Sequence, residues 1–458
     1  NIGLGWQWQN TLSGVNYFKE INKRHFMHAS IGISRYKYRR HETFGIASFN
    51  NGVKQSGEFF FEENNSITDF NASVDLEYLY GTKTKLRYGT HWVTHNMKPG
   101  ELVLREILNS NTQAENLYGA VNNQFPSEWS TYGEFDFHSD NYLSINIGAR
   151  LWSYFGRDNN FLRIEPRITL NQRLHGNRRF QLGLSMNNQG IHQLSSVTGI
   201  LPQDVWFPTS GNLKPQQTSQ FSAAYIQPLA GGFEFSIEGY YKYFTGLMYI
   251  QESRDEKLSR NYWEQMISQG TGNASGIEFL ISKRSGRLNM ISSYTYSRTN
   301  RLFEDVNGGI AYPFRWDRPH KFAFQLGGYY RPQLSFMKQG YLNLEFNQVR
   351  PYTYSHWSTN YYSSYNQALA HPLESNFREV LFRLFFVPQN LQRWSFRNIT
   401  SFAFKGFDMN GKNYGSDIRK SYYTSAEKNN AIIGQGDKSS ILNIFNEVTY
   451  YAMPNLLL

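Results

Sequence analysis

The stretch Tyr142-Leu-Ser-Ile-Asn-Ile-Gly-Ala-Arg-Leu151 sets Leu143, Ile145, Ile147, Ala149 and Leu151 against Ser144, Asn146, Gly148 and Arg150. The next segment repeats the pattern, with Leu162, Ile164, Pro166, Ile168 and Leu170 alternating with Arg163, Glu165, Arg167, Thr169 and Asn171. Phe180, Leu182, Leu184 and Met186 form a third such series, and Phe70, Ala72, Val74, Leu76 and Tyr78 an earlier one. Successive side chains of a strand point to opposite faces, so each segment has one apolar and one polar face.

A soluble sandwich hides the apolar face in its core, whereas an outer-membrane barrel turns it to lipid and its polar face inward. The connections decide between them. Short ones fall at 80–82, 139–141, 175–177, 230–232 and 285–286; long ones fall at 96–126, 188–218, 245–273, 299–318, 350–376 and 406–438. The connection at 154–160 is of moderate length. Short turns at one end and long loops at the other are the mark of a transmembrane barrel. The expected fold is therefore all-β, a transmembrane antiparallel β-barrel of the outer-membrane type over residues 1–458. About 17–18 strands are visible. They cover 1–10, 24–38, 67–79, 83–95, 127–138, 142–153, 161–173, 178–187, 219–228, 233–244, 274–283, 287–298, 320–330, 340–350, 377–387, 394–405 and 439–450.

Composition agrees. The longest strongly apolar run, Val380–Val387, is interrupted by Arg383, and a helical span needs about 20 apolar residues. With no cysteine there is no disulfide scaffold, Cys-ligated metal or cysteine nucleophile. Aromatics make up 17% of the chain and cluster near expected strand ends, as at Trp152, Tyr154 and Phe155, where amphipathic rings suit the lipid headgroup region. Neither His-Glu-x-x-His, Gly-x-Ser-x-Gly nor a Walker Gly-Lys-Ser/Thr arrangement occurs, so no enzyme is indicated, and no cofactor or metal is expected.

Four segments carry a family resemblance. Phe161-Leu-Arg-Ile-Glu-Pro-Arg-Ile168 resembles the "EPR" strand of TonB-dependent receptor barrels. Asn212-Leu-Lys-Pro215 resembles their "LKPE" segment, with Gln216 in place of Glu. Gly270-Thr-Gly-Asn-Ala-Ser-Gly-Ile-Glu278 resembles their "GIE" segment, and Ser293-Tyr-Thr-Tyr-Ser297 with Tyr312-Pro-Phe-Arg-Trp-Asp-Arg-Pro-His320 their "SYTYS…YPFDWDRPH" pair. Their flavour is that of Bacteroidetes nutrient receptors. The resemblance implies a barrel of 22 strands in the cell outer membrane, a plug domain, and TonB-driven uptake of a bulky nutrient such as an oligosaccharide, peptide or metal chelate. No plug or TonB-contacting segment is visible here, which fits a chain without its N-terminal part, so TonB would act through a plug outside it. A surface or periplasmic lipoprotein is an implied partner. From about residue 340, Arg350-Pro-Tyr-Thr-Tyr-Ser-His356, Tyr365–Leu373 and Asp408–Asp417 look more like capsule-assembly or gliding-type barrels. The alternatives are accordingly a structural or assembly barrel of a surface machine, or a passive porin.

Loop aromatics Trp206, Phe207, Tyr262, Trp263, Trp357 and Tyr361 are the candidate ligand contacts, since aromatic faces line ligand sites; self-packing of long loops is the other reading. Polar-face charges such as Asp75, Arg87, Glu134, Asp136, Arg150 and Glu165 could filter a solute or pair laterally between strands. Asp408, Asn410, Asn413 and Asp417 fit an Asn/Gly turn better than a calcium loop. The net charge of +10 suits outer-membrane lipid and lipopolysaccharide phosphates, and a barrel makes nucleic acid an improbable partner.

Overall fold

The computed structural model describes residues 2–50, 53–108, 111–118, 123–139, 142–196, 203–250, 264, 267–284, 286, 288–304, 309–314, 317, 319–330, 337–352, 375–388, 394–407 and 438–450. Among these residues all regular structure is β-strand except two three-residue 3₁₀ turns, His175–Asn177 and Ala230–Gly232. No helix among them is long and apolar enough to cross a membrane.

Contacts divide the chain into two compact units, the first comprising Asn1–Leu170, Gly183–Gln220 and Tyr243–Thr271. It opens with four long strands, β1 (Ile2–Asn22), β2 (His25–Asn50), β3 (Val53–Leu79) and β4 (Thr84–Leu108). After the short β5 (Asn111–Tyr118) come β6 (Ser127–Ser139), β7 (Leu143–Phe155) and most of β8 (Asn160–Arg173). Each long strand pairs antiparallel with the next long strand: Asn22 faces His25, Asn50 faces Val53, Leu79 faces Lys85, Thr94 faces Ser127 and Ser139 faces Leu143. The unit also holds most of β9 (Arg179–Gln189) and a separate hairpin of β10 (Ile191–Ser196) and β11 (Gln203–Pro208).

The second unit comprises Asn171–Leu182, Phe221–Lys242 and Gly272–Leu458. It contains most of β12 (Gln216–Pro228), β13 (Phe233–Ile250) and β14 (Ile267–Lys283), then β15 (Leu288–Leu302) and the two-residue β16 (Tyr312–Pro313). The meander continues through β17 (His320–Tyr330), β18 (Met337–Tyr352), β19 (Ser375–Pro388), β20 (Trp394–Phe407) and β21 (Lys438–Tyr450), each antiparallel to its predecessor. In β14, the "GIE" glycine Gly276 makes room for an aromatic ring: a Cβ there would stand 2.8 Å from the Tyr240 ring and hydroxyl.

The two faces of the strands settle which solvent meets which. Ile147, Leu151 and Phe155 on β7, and Leu162, Ile164 and Ile168 on β8, are exposed. Trp152 and Tyr154 on the opposite face of β7, and Glu165 on that of β8, are buried. A soluble sandwich shows the reverse. An exposed apolar belt backed by a buried polar face is the arrangement of a barrel whose outer surface meets hydrocarbon.

Seventeen of the strands correspond one to one with the segments expected from alternation; β5, β10, β11 and β16 are additions. The ends differ. β1 runs to Asn22 rather than 10, β2 to Asn50 rather than 38, β3 begins at Val53 rather than 67, and β4 ends at Leu108 rather than 95. The expected loop at 96–126 is thus largely strand. The added residues of β2, β3 and β4 lie beyond the lipid belt, where alternation weakens while backbone pairing continues, whereas those of β1 pair with His25–Arg35 and extend its crossing segment. One signal was available: Asn51-Gly52 lies in sequence between the paired residues Asn50 and Val53, and Asn-Gly is the commonest two-residue hairpin connection. The loops at 188–218 and 245–273 likewise begin later or contain strands, namely β10, β11 and the last residues of β13.

Replacing Ile164, which is exposed on the lipid face, by Arg should destabilise insertion by about 2–4 kcal/mol, as charges near a bilayer midplane do. Urea titration of folding into phospholipid vesicles measures this; a variant as stable as the wild type would contradict the assignment of faces.

Candidate functional site

The polar face of β3–β8 is built from registered cross-strand partners. Gly89 of β4 lies between Asp75 of β3 and Tyr132 of β6, and Tyr132 lies opposite Arg150 of β7. That placement lets the Tyr132 hydroxyl donate to Asp75 Oδ1 at 2.7 Å, where His91 Nε2 also sits at 2.7 Å. A Cβ on Gly89 would come 2.9 Å from both groups, so the glycine permits the contact. One step along, Arg87 bridges Asp136 at 2.9 Å and Glu134 at 3.3 Å, and the Asn146 amide donates to Asp136 at 2.5 Å.

Glu165, the acid of the "EPR" segment, is 4% exposed. It accepts from Arg150 Nε at 2.5 Å, from the Asn188 backbone N–H at 2.6 Å and from the Asn188 side-chain amide at 3.0 Å. One carboxylate therefore ties β7, β8 and β9 together. Most wall charges are paired strand to strand, as the lateral reading expects; Lys85–Glu77 and Arg179–Glu234 are further examples at 3.3 and 2.6 Å. Arg163 and Arg167 flank Glu165 on the same face and have no charged partner among the described residues. A cavity of about 250 Å³ opens here between His91, Tyr132, Glu134, Arg150, Glu165 and Arg167.

A second cavity, of about 260 Å³, lies at the level of the connections. Its lining includes Gln124, Phe125, Tyr154, Arg157, Asp158, Ser210 and Glu264. Its form follows from two short features. Gly156 N–H donates to Asn159 O at 3.1 Å, closing a tight turn that projects Arg157 and Asp158. The Tyr154 hydroxyl donates to Thr209 O at 2.7 Å and anchors the Thr209-Ser210 segment. Ser210 Oγ is buried with no hydrogen-bond partner among the described residues, a polar group whose burial costs free energy until something meets it. The site offers cation, carboxylates, hydroxyl and amide, and an exposed Phe125 ring: a surface for polar binding.

The hairpin β10–β11 carries two of the expected aromatic contacts. Phe207 packs in a buried apolar cluster with Leu213, Met248 and Ile267, while its neighbour Trp206 is half-buried. Tyr262, Trp263, Trp357, Tyr361 and the Asp408–Asp417 segment lie outside the described residues. Arg157, Ser210 and Glu264 escaped sequence reasoning, because each comes from a different connection, and Tyr154 was legible only as a strand-end aromatic. Other motif residues have structural work. Asp317 accepts the Thr299 backbone N–H at 2.8 Å, and burial pushes its carboxyl above the usual range. His320 Nδ1 sits 2.8 Å from the Tyr294 hydroxyl, joining the last motif pair across β15 and β17.

Neither a family profile nor a curated protein matches the sequence. Solved structures do match. FpvA of P. aeruginosa, bound to heterologous pyoverdines, is 9% identical with a TM-score of 0.50, covering 97% of this chain and 65% of its own. BauA, the ferric preacinetobactin receptor from Acinetobacter baumannii, is 10% identical with a TM-score of 0.53, over 87% of this chain and 58% of its own. The RagAB peptide transporter is 9% identical with a TM-score of 0.56, over 97% of this chain and 62% of its own. This chain thus spans less than two thirds of the length of each. The chain shares the β-barrel fold of these receptors and transporters, and its place is the cell outer membrane.

Two outcomes follow. Glu165→Ala strips three hydrogen bonds from one buried acceptor and should cost about 3 kcal/mol, with Glu165→Gln recovering part by keeping an acceptor for Asn188. Denaturant titration of both variants in bilayers checks the order. His192, buried on β10 beside Thr209 Oγ1 at 3.1 Å, is lowered by burial to about 4. The unfolded hairpin binds more protons than the folded one between that value and about 6.5, so stability rises with pH there. Acidification from pH 7 to 4 should therefore weaken β10–β11 by about 3 kcal/mol, read as faster amide exchange in those strands.

Proposed function

We propose that this chain is the barrel of an outer-membrane receptor that imports a bulky nutrient through TonB-dependent transport, in the manner of Bacteroidetes nutrient receptors. The carrying observation is the polar cavity at the level of the connections, standing over an interior wall whose charges are mostly paired. A passive filter needs rings of free charge, whereas a paired wall with a cavity beside Arg163 and Arg167 suits a lumen that holds another element. The neighbours in structure, described as a ferric preacinetobactin receptor and a peptide transporter, support the class. In this reading the connections capture ligand, a surface lipoprotein covers it, and a plug supplied by residues outside these 458 is displaced through TonB. The ligand is an oligosaccharide, peptide or metal chelate; the barrel performs no bond-making chemistry.

Cells carrying the intact gene or Ser210→Trp, which fills the cavity, should be compared on limiting panels of these three nutrient classes. One class should show uptake that a protonophore abolishes and that Ser210→Trp lowers at least tenfold at equal barrel content. Energy-independent uptake with steady ion conductance in planar bilayers would make the chain a passive pore, and no uptake phenotype in any class would leave a scaffold.

A further inference from the structure

Half of the chain's net charge of +10 lies on the connections, and it is unevenly distributed over them. In a barrel of the outer-membrane type successive strands run antiparallel, so every second connection belongs to the same side of the membrane. Eight connections form the short side: those joining β1–β2, β3–β4, β6–β7, β8–β9, β12–β13, β14–β15, β17–β18 and β19–β20. Together they hold eight Lys or Arg and a single acid, Asp140, a net +7. The long connections, leaving out the strands inside them, hold eleven Lys or Arg against thirteen Asp or Glu. The short side is therefore cationic and the long side nearly balanced.

The structure adds a second observation. On the short turns of the first unit Lys23 and Arg24 are exposed, and Tyr80 and Tyr142 are 72% and 64% exposed. On those of the second unit Arg178 and Arg284 are exposed without a charged partner among the described residues, and Leu174 and Leu229 are exposed on the same turns as Arg178 and Gly231. Exposed Tyr at a strand end marks the headgroup level of a bilayer, and a cation at that level lies within reach of lipid phosphate. A soluble acidic partner would account for the cations but not for the exposed rings and leucines interleaved with them.

We propose that the short-connection rim binds the phosphate headgroups of anionic phospholipids in the periplasmic leaflet, the leaflet that short turns face in such barrels. The Tyr and Leu side chains set the depth of the barrel and the Lys and Arg side chains select the headgroup. This holds whether the barrel imports a nutrient or not.

The test is native mass spectrometry of the full chain titrated with dioleoylphosphatidylglycerol or dioleoylphosphatidylethanolamine. A cation near an anionic surface is worth about fivefold in affinity. The variant Lys23→Gln/Arg24→Gln/Arg178→Gln/Arg284→Gln should lose at least tenfold in phosphatidylglycerol affinity, with phosphatidylethanolamine unchanged and the difference shrinking at high salt. A matched long-connection variant, Lys412→Gln/Arg419→Gln/Lys420→Gln/Lys428→Gln, should bind as the wild type does. The two double variants, Lys23→Gln/Arg24→Gln and Arg178→Gln/Arg284→Gln, give partial losses and keep the result readable if the quadruple variant fails to fold. No preference for phosphatidylglycerol in the wild type, or equal losses in the short- and long-connection variants, would overturn the proposal.

Discussion

A backbone that crosses hydrocarbon has no water to satisfy its N–H and C=O groups, so each must find a partner within the chain. Antiparallel strands meet that demand by pairing with both neighbours, and the rest of this structure follows from it. Apolar side chains such as Ile164 and Leu162 turn outward because lipid, not a core, is what they contact. The usual correlation of burial with hydrophobicity is inverted: the buried side chains include Glu165, Asp136 and Arg40, while Leu12 and Leu162 are exposed. Among the described residues the apolar cluster of Phe207, Leu213, Met248 and Ile267 joins β11 and Leu213 to the facing ends of β13 and β14.

Turning polar groups inward creates a second demand, since a charge removed from bulk water needs a partner of its own. The wall answers with shared acceptors. Asp75 serves both His91 and Tyr132, Asp136 serves Arg87 and Asn146, and Glu165 serves Arg150 and Asn188. Each acid thereby joins strands whose backbones are already hydrogen-bonded, so the side-chain network reinforces the register. The same logic makes Arg163 and Arg167 informative, for they are wall cations beside Glu165 left without such an acid among the described residues.

Alternation made the membrane-crossing part of the fold legible because lipid on one side and polar groups on the other act on every second residue. It carried all seventeen long strands and the inward face of Arg150 and Glu165. It failed at the far ends of β2, β3 and β4, where buried polar side chains such as Arg40, Glu42 and Asn65 interrupt the apolar–polar alternation while backbone pairing continues. The cavity at the connections was illegible for another reason. Tyr154, Ser210 and Glu264 are more than 50 residues apart in sequence, and no local period records which connections meet. Phe207 looked like its neighbour Trp206 in sequence; only the fold shows that one enters an apolar cluster and the other stays half-exposed. The motif residues were legible as motifs without their reason. Asp317 receives a backbone N–H, and Gly276 is small so that Tyr240 can lie across it.

Paired interior charges also explain why the overall charge is a poor guide by itself. The strands and the connections each hold +5 of the net +10, and among the connections the charge gathers where pairing is not enforced. Long connections can fold upon themselves and supply their own counter-charges, as their near balance of Lys and Arg with Asp and Glu shows. A turn of two to six residues cannot, so its cations must be met by water or by whatever surface lies beside it. The sign of a chain's charge therefore becomes meaningful only after topology has assigned each residue to a wall, a loop or a turn. Among the connections of this chain that assignment concentrates the excess on the short turns, at the level where exposed Tyr80 and Tyr142 place the edge of the bilayer.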